Sequence, residues 1–356
     1  MRRCLSLAGC SGRGSWRQPL RWVLRGATGV FCLLPGFAVL FAQAAACAPL
    51  ILLSGNIQPL SRPIPAKAAF CFFDHASYAR ELMNSFNVDT ELCRKDGICA
   101  KVCPIQIIDG KVGEYPSMSS HKARVCIGCG QCMAFCPANA CSAPGLSSRD
   151  SRPLQPEQRP SAEQVEELVF SRRSVRNFKS GPVPRELLRR ILEAARFAPT
   201  AKNTQELRWI VLEAREQTEK LAVMVIDWLR ALPEIDPATA KDVHAESLVR
   251  AWEAGHDVIT RTAPQMVLIV APKGHWGPAD ASIAAAYLEL LAHAHKVGCC
   301  WGGYVCFAAG HPSAHALRAY LGVNEDEQVY AAQMIGFPLL APHFRPPRKV
   351  LDVTWL

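Results

Sequence analysis

The sequence predicts an α+β fold preceded by a small cysteine-rich module, and three observations support this. Helical periodicity dominates from residue 161 onward, and the few strand-like runs do not alternate strictly with helices, as is typical of an α+β layer fold. No GxGxxG turn is present to indicate a dinucleotide-binding Rossmann unit. Seven of the 16 cysteines lie between Cys93 and Cys136, which marks a separate module ahead of the helical part.

Length and composition limit the possible classes. The 356 residues suggest two domains plus an extension, and 49% apolar residues exclude a disordered chain. The formal net charge of +9 is uneven, because residues 1–82 hold nine basic and only two acidic side chains. No basic patch interleaved with aromatic residues follows downstream, so we expect no nucleic-acid partner.

The first 82 residues allow three interpretations. Arginines up to Arg25 precede an apolar run from Val30 to Leu53, which is the outline of a secretory signal. Pro35 and Pro49 interrupt the run, whereas a membrane-spanning helix needs about 20 apolar residues. Met83 stands directly before the first motif and would make a natural start. The segment is therefore a dispensable extension from a mis-assigned start, a targeting leader or a single membrane anchor.

The cysteine spacing indicates iron–sulfur chemistry. From Cys126 to Pro137 the sequence reads Cys-x2-Cys-x2-Cys-x3-Cys-Pro, the run that surrounds a [4Fe–4S] cluster and sends its fourth cysteine to a neighbouring cluster. The first group, Cys93 to Pro104, repeats this frame with Asp96 in place of the second cysteine. Structural zinc sites lack the trailing Cys-Pro. The two groups resemble a bacterial two-cluster ferredoxin, which implies an iron–sulfur domain over residues 83–141.

The ferredoxin resemblance implies a ligand set for each cluster. Cluster one would be held by Cys93, Asp96, Cys99 and Cys136. Cluster two would be held by Cys103, Cys126, Cys129 and Cys132. Carboxylate oxygen is a harder ligand than thiolate, so we expect the Asp96 corner to lose iron and leave a [3Fe–4S] form. The alternative is that Asp96 is a loop residue beside a permanently three-iron cluster.

Iron–sulfur clusters belong in a reducing compartment, which predicts a cytoplasmic location without membrane contact.

A proline-rich linker, residues 142–160, leads to the larger domain at residues 161–356. A capping box at Ser161 and Gln164 predicts a helix through Phe170. Helical periodicity resumes after Pro184. The remaining predicted elements are strands at 209–212, 265–271 and 329–335 and a buried helix at 280–297.

Four segments of the larger domain together resemble the flavin-dependent nitroreductase family. They are Ser171–Phe178, Ala198–Gln205, the glycine-rich Gly298–Gly303, and Gly336–Pro338 followed by Pro346–Lys349. The resemblance implies helices around a central, mostly antiparallel sheet. Many family members have Gln-Pro-Trp where this chain has Glu206 and Arg208 before Trp209, and we expect these charges near the substrate pocket.

The family resemblance also implies FMN. A phosphate dianion favours forked guanidinium donors, neutral amides suit the ribityl chain and ring edge, and glycines admit close backbone approach. The candidate cofactor residues are Arg172, Arg173, Ser174, Arg176, Thr200, Asn203, Gln205, Gly302, Gly303 and Arg348.

The expected chemistry belongs to the flavin. The family implies a homodimer with FMN at the interface and a ping-pong cycle, so no side chain is named as catalytic acid, base or nucleophile. The clusters would pass electrons to or from FMN, with NAD(P)H or a redox protein as donor and a nitroaromatic or quinone-like acceptor. The direction of electron flow stays open. The alternative is a non-enzymatic electron carrier or redox sensor that relays electrons to a partner protein.

Overall fold

The computed structural model describes residues 85–356 and, before them, the backbone of four strands, which are β1 (Gly29–Leu34), β2 (Phe37–Ala42), β3 (Ile51–Leu53) and β4 (Asn56–Gln58). These four strands form an antiparallel sheet in the order β1-β2-β3-β4. Residues 1–80 and 81–356 are two compact units. The leader, anchor and mis-assigned-start interpretations concern side chains and segments outside the described residues.

The cysteine module consists of short elements joined by loops. Its strands are β5 (Asn87–Val88) and β6 (Cys141–Ser142), and its helices are α1 (Ile98–Val102), α2 (Ser120–Ala123) and α3 (Gln131–Ala134). The antiparallel pair β5–β6 joins the two ends of the module. The first cysteine frame contains α1 and the second contains α3, and each helix follows a left-handed glycine, Gly97 at φ 71° and Gly130 at φ 69°. Glycine adopts this conformation without steric cost, so the repeated frame in the sequence becomes a repeated turn in the structure.

The predicted boundary between module and linker falls inside β6. Ser142 belongs to the strand, and Ala143 is buried in the small core of the module. Ser148, in a short 3₁₀ turn, donates its backbone N–H to the hydroxyl of Ser142 at 3.0 Å, and its carbonyl accepts from Asn139 at 2.8 Å. The first part of the linker is therefore packed on the module.

The larger domain contains α4 (Ala162–Ser171), α5 (Arg185–Ala195), β7 (Arg208–Leu212), α6 (Arg215–Ile235), α7 (Pro237–Asp242), α8 (Ala245–Glu253), β8 (Gln265–Pro272), α9 (Gly277–Ala294), β9 (Gly298–Trp301), α10 (Gly303–Gly310), α11 (His315–Tyr320) and β10 (Glu327–Gly336). Short 3₁₀ turns occur at 156–158 and 201–203. No helix within residues 85–356 is long and apolar enough to cross a membrane.

The central sheet is antiparallel throughout, with the strand order β7-β8-β10-β9. Alternate residues of β8 face opposite sides, as strand geometry requires. Met266 and Leu268 pack in a core with α6, α8 and α10, whereas Val267 packs with α5 and α9. Helices thus cover both faces of the sheet, and the predicted α+β fold is confirmed.

Several predicted elements are confirmed at residue level. In the capping box of α4 the Ser161 hydroxyl accepts from the Gln164 N–H at 3.2 Å, and the Gln164 side chain accepts from the Ser161 N–H at 2.9 Å. The glycine-rich segment contains a strand that was not predicted from the sequence, because residues 298–301 form β9 and pair with β10. Three residues between two glycines carry little strand signal of their own, and the pairing with β10 decides their conformation.

The arginine-rich segment after α4 runs along the edge of the sheet beside β9. The Val175 N–H donates to the Cys299 carbonyl at 2.8 Å, and Phe178 forms a β-bridge with Pro338. A Cβ on Gly298 would lie 2.7 Å from Val175, so glycine is required for this close approach. Three of the four family-like segments therefore meet at one edge of the sheet.

Candidate functional site

A cavity of about 420 Å³ opens where β9 ends and α10 begins. Two guanidinium groups and three aromatic side chains contribute to its wall. The lining residues are Arg176, Val243, Val258, Ile259, Arg261, Cys300, Trp301, Gly303, Tyr304, Phe307 and Met334. We call it the arginine–aromatic cavity. Trp301 and Phe307 are each 42% exposed, so apolar ring surface is open to a ligand.

The loop that carries Arg261 is organised by Asp257. The Asp257 carboxylate accepts backbone N–H groups from Ile259, Thr260 and Thr262 at 2.7–2.9 Å. Arg261 and Thr262 have φ values of 54° and 53°, a left-handed conformation that costs free energy for residues other than glycine. The loop is therefore held in one conformation, and Arg261 lines the cavity from it.

Arg261 was not among the residues predicted from the sequence. An aspartate followed by threonines and a proline, directly ahead of a buried strand, is the available signal for an ordered loop. The pattern does not show that the loop faces Arg176, because that depends on packing between distant segments.

The arginines create a positive field at Cys300. Burial raises the pKa of the Cys300 thiol, while the nearby charges of Arg176, Arg261 and Arg172 oppose the increase. Burial also raises the pKa of Cys306 to about 12. Both groups are neutral thiols at physiological pH and are poor nucleophiles.

A second cavity, of about 280 Å³, borders the start of the arginine-rich segment. Arg172 and Arg173 line it together with Glu289 and His293. Arg172 donates to Glu289 at 2.9 Å, so its guanidinium already has a carboxylate partner. Burial, and then the charge of Arg172, lower the pKa of His293. The predicted arginine cluster is thus divided, with Arg172 and Arg173 in one cavity and Arg176 in the other.

The segment predicted to contact the flavin edge, residues 200–205, lies outside both cavities. Thr200, Asn203 and Gln205 line neither of these two cavities in the part of the chain that the structure describes. The Thr200 hydroxyl accepts the Gln205 N–H at 3.1 Å. The Asn203 side chain donates to the carbonyl of Gly128, in the cysteine module, at 2.9 Å.

The other predicted cofactor residues have different surroundings. Ser174 forms a backbone bridge with Cys299, and Arg348 lies in the exposed tail. Gly302 packs inward, because its Cβ would lie 3.3 Å from that of Ala332 and 3.4 Å from Met266. A side chain at position 302 would thus be in tight contact with Ala332 of β10. Gly303 does line the arginine–aromatic cavity.

Four cysteines surround one small cavity in the cysteine module. They are Cys103, Cys126, Cys129 and Cys132, the set that the ferredoxin resemblance assigns to cluster two. Ile105, Ile107, Ile108 and Met118 provide an apolar wall. No three His, Cys, Asp or Glu side chains of the described residues meet closely enough to hold a single metal ion. A four-iron cluster binds each thiolate to a different iron, so its ligands surround a volume instead of a point.

The charges of this four-cysteine set are coupled. Burial raises the pKa of Cys126, the neighbouring Cys132, Cys129 and Cys103 raise it further, and the Gly128 N–H opposes them. Repulsion between neighbouring thiolates raises the pKa of Cys126, and the positive charge of bound iron would offset this repulsion. Soft sulfur donors in an apolar wall fit an iron–sulfur cluster.

The residues predicted to hold cluster one are not all packed together. Cys99 and Cys136 pack in the small core of the module, which does not include Cys93. The Asp96 carboxylate accepts the Ile98 N–H at 3.0 Å, and its charge raises the pKa of Cys99. A hydrogen bond from Cys141 has the larger, opposite effect and brings the pKa of Cys99 to about 7. Asp96 is therefore beside Cys99 and also stabilises the turn before α1.

Comparison with known proteins identifies both parts of the chain. Residues 169–337 match the nitroreductase family, and residues 85–137 match the 4Fe–4S dicluster domain. The NADH dehydrogenase of Thermus thermophilus is 30% identical over 186 residues, which cover 48% of this chain and 84% of that protein. This chain belongs to the nitroreductase family. It is an oxidoreductase of this family with an N-terminal iron–sulfur domain.

Other members of the nitroreductase family are similar over parts of the chain. The nitrobenzene nitroreductase of Ectopseudomonas oleovorans is 35% identical over 75 residues, a third of that enzyme. Crystal structures of nitroreductases with bound FMN from Bacteroides fragilis and Desulfitobacterium hafniense are 23% and 24% identical and cover 54% and 53% of this chain. They are matched over 99% and 97% of their own lengths, with TM-scores of 0.44 and 0.42.

Proposed function

We propose that this nitroreductase-family protein passes electrons between iron–sulfur clusters and FMN and reduces a nitroaromatic or quinone-like acceptor at the flavin. One observation carries the proposal. The same compact unit, residues 81–356, contains a cavity surrounded by four cysteines and a cavity with two arginines and three aromatic rings. The first donor set suits clusters, and the second suits an anionic, planar cofactor.

The arginine–aromatic cavity fits FMN in charge and size. Arg176 and Arg261 would hold the phosphate through charge-assisted hydrogen bonds, and Trp301 and Tyr304 would provide apolar ring surface to the isoalloxazine. The volume of about 420 Å³ lies within the range of about 300–1,000 Å³ that is usual for ligand sites. Bound FMN supplies storage for two electrons, which it takes up or releases singly or as a hydride.

The protein's own contribution is orientation and electrostatics. Cys300 and Cys306 are neutral thiols, so neither is an activated nucleophile. This supports a mechanism in which no side chain forms a covalent intermediate. The fixed Asp257 loop keeps the Arg261 charge in place before the cofactor binds, which lowers the cost of ordering the site.

We propose two clusters in the cysteine module. Cys103, Cys126, Cys129 and Cys132 would hold cluster two, in the cavity that they surround. Cys93, Asp96, Cys99 and Cys136 would hold cluster one, and Asp96 beside Cys99 supports its place in that set. Iron–sulfur clusters of this kind belong in a reducing compartment, which supports a cytoplasmic location.

A homodimer would complete the flavin site. The exposed tail presents large apolar side chains, among them Phe344, Leu351 and Trp355, and α4 presents Val169 and Phe170. Large exposed apolar side chains of this kind are typical of an interaction surface. Within one protomer the predicted flavin residues are spread over separate places, as expected if two copies each supply part of one site. Thr200, Gln205, Arg172, Arg173 and Arg348 would then act from the other side of the interface.

The open cavity favours a small-molecule acceptor over a relay in which electrons pass only between proteins. Trp301, Tyr304 and Phe307 line an open cavity and are 37–42% exposed, which leaves room for a planar acceptor. NAD(P)H or a one-electron redox protein would act as donor.

The test is anaerobic purification with assays of flavin, iron and acid-labile sulfide, followed by a screen of donors and acceptors. We expect FMN stoichiometric with the chain, iron matched by sulfide, and reduction of nitroaromatic or quinone compounds.

Replacing Arg176 and Arg261 together by alanine should weaken FMN binding at least about tenfold, a loss of about 1.4 kcal/mol. The matched control is Arg189→Ala on α5, because its side chain is 68% exposed and does not line the cavity. Equal FMN affinity in both variants would exclude this cavity as the phosphate site.

A further inference from the structure

Asn203 belongs to the nitroreductase domain, yet its side chain contacts the cysteine module. Its Nδ2 donates to the Gly128 carbonyl at 2.9 Å and lies 3.5 Å from the Ile127 carbonyl. Both neighbours are acceptors, so the contact itself determines which end of the amide is the nitrogen. Ile127 and Gly128 are the two residues between Cys126 and Cys129, which both line the four-cysteine cavity.

The segment that presents Asn203 is anchored on the nitroreductase domain. The Ala201 N–H donates to Asp280 at 3.0 Å, and Asp280, on α9, is only 6% exposed. The Thr200 hydroxyl accepts the Gln205 N–H and closes the other end of the segment. Because α9 packs on the central sheet, the position of Asn203 is tied to the core of the domain.

The backbone of this segment is unusual. Lys202, Asn203 and Gln205 have φ values of 54°, 55° and 52°, in the left-handed region that residues other than glycine rarely adopt. Three such residues within four positions persist only where the surrounding contacts require them, and they are concentrated at functional sites. Asparagine tolerates this conformation better than most residues. The geometry aims the Asn203 amide at the cysteine loop.

We propose that Asn203 docks the Cys126–Cys129 loop onto the 200–205 segment, which in the proposed dimer completes the flavin site, so that the cluster held by this loop is the one that exchanges electrons with FMN. The cluster of the Asp96 set is then the outer one, which exchanges electrons with the external redox partner. The proposal rests on the proposed function, because it requires FMN and clusters in the same protein.

The electron balance is simple. Each transfer through the docked loop oxidises the inner cluster by one electron, so two transfers with protons from water reduce one flavin. A one-electron reductant, such as a reduced viologen or a ferredoxin-type protein, returns the clusters to the reduced state. In the opposite direction the same contact carries electrons from the reduced flavin to the clusters.

The experiment compares three variants of the full holoprotein, reconstituted anaerobically with FMN and clusters. Asn203→Gly removes the amide and accepts the left-handed backbone, and Asn203→Asp keeps the size but replaces the donor by an acceptor. The matched control is Lys202→Asn, an equally left-handed neighbour whose change leaves the Asn203 contact intact. Reduced methyl viologen is mixed with each protein in a stopped-flow instrument, and flavin absorbance is followed. Hydrogen–deuterium exchange of the peptide that contains residues 126–130 is measured on the same samples.

We expect both Asn203 variants to reduce flavin at least tenfold more slowly than the unsubstituted protein and Lys202→Asn, at equal FMN and iron content. The amides of 126–130 should exchange faster in the Asn203 variants alone, which reports the docking contact independently of turnover. Unchanged flavin reduction and unchanged exchange in Asn203→Gly overturn the docking role. If viologen-reduced clusters fail to reduce FMN even in the unsubstituted protein, the cluster-to-flavin relay itself, and with it the proposed function, is overturned.

Discussion

Arg208 and Glu327 form a forked ion pair that joins β7 to the start of β10 across the intervening strand β8. Arg208 Nε and Nη2 donate to the two carboxylate oxygens of Glu327 at 2.9 and 2.6 Å, and Nη2 also donates to the Gly322 carbonyl. Neither residue lines the arginine–aromatic cavity. Glu327 therefore occupies the guanidinium of Arg208 and gives it a structural role, and the expected position of Arg208 near the substrate pocket stays a prediction.

This ion pair predicts a pH-dependent contribution to stability. The hydrogen bond from Arg208 is the main reason that the pKa of Glu327 is lowered. The contribution is therefore complete above the unfolded-state pKa of about 4.3 and is lost as the pH falls through the lower folded-state value. Because the Arg208 side chain is 41% exposed, we expect Glu327→Gln to lower the free energy of unfolding at neutral pH by about 1–2 kcal/mol.

The measurement is urea unfolding of both proteins between about pH 8 and pH 3.5. The difference between them should be constant above about pH 5 and should shrink below about pH 4. A difference that grows on acidification would contradict the assigned direction of the pKa shift. Glu186→Gln on α5 is a suitable control, because its side chain is 82% exposed and exposed pairs contribute little.

A buried glutamine, Gln265 at the start of β8, should be essential for stability. Its Oε1 accepts the Val183 N–H at 2.8 Å and its Nε2 donates to the Val183 carbonyl at 3.1 Å, which fixes the chain just before α5. Gln265→Leu leaves both backbone groups buried and unpaired, so we expect a loss of about 2–4 kcal/mol in denaturant unfolding. A loss below about 0.5 kcal/mol would mean that water replaces the amide.

Gln333 on β10 offers the opposite case in the same sheet. It is 1% exposed, and within residues 85–356 its Oε1 has no hydrogen-bond partner. Replacing this glutamine by methionine removes an unsatisfied polar atom at nearly constant volume. We therefore expect Gln333→Met to leave stability unchanged or to raise it by about 1 kcal/mol. A destabilisation as large as that of Gln265→Leu would show that the Gln333 amide makes a contact with bound cofactor or water.

These cases show what the sequence could and could not determine. Local signals were sufficient for α4, where Ser161 and Gln164 alone define the capping box, and for the apolar strand β8. They were insufficient for β9, whose strand character depends on pairing with β10. They also did not reveal that Arg172 and Arg176 face different cavities or that Arg261 joins Arg176, because both facts depend on how distant segments pack.

The cysteines of the module predict two different outcomes of alanine substitution. Cys103 lines the four-cysteine cavity, whereas Cys141 is buried between Cys99 and Cys132 and donates to the Cys132 carbonyl. Hydrogen bonding to these two thiols and burial raise the pKa of Cys141, so it stays protonated. We expect Cys103→Ala to lose roughly half of the bound iron and Cys141→Ala to lose none, measured as iron and acid-labile sulfide per chain after anaerobic reconstitution. Equal losses in the two variants would contradict the ligand assignment.

Asp96 predicts the spectroscopic character of its cluster. Its carboxylate already accepts the Ile98 N–H at 3.0 Å, and an oxygen ligand binds the iron of a sulfur cluster less well than a thiolate. We expect air-exposed protein to show the electron paramagnetic resonance signal of a [3Fe–4S] cluster, and Asp96→Cys to convert it to a stable [4Fe–4S] form with additional iron. Asp96→Ala separates the two roles of the residue. If Asp96 binds the fourth iron of the intact cluster, Asp96→Ala should give the three-iron signal even without air. An absent three-iron signal in all samples, or an Asp96→Cys protein identical to the parent, would show that Asp96 only caps the turn before α1.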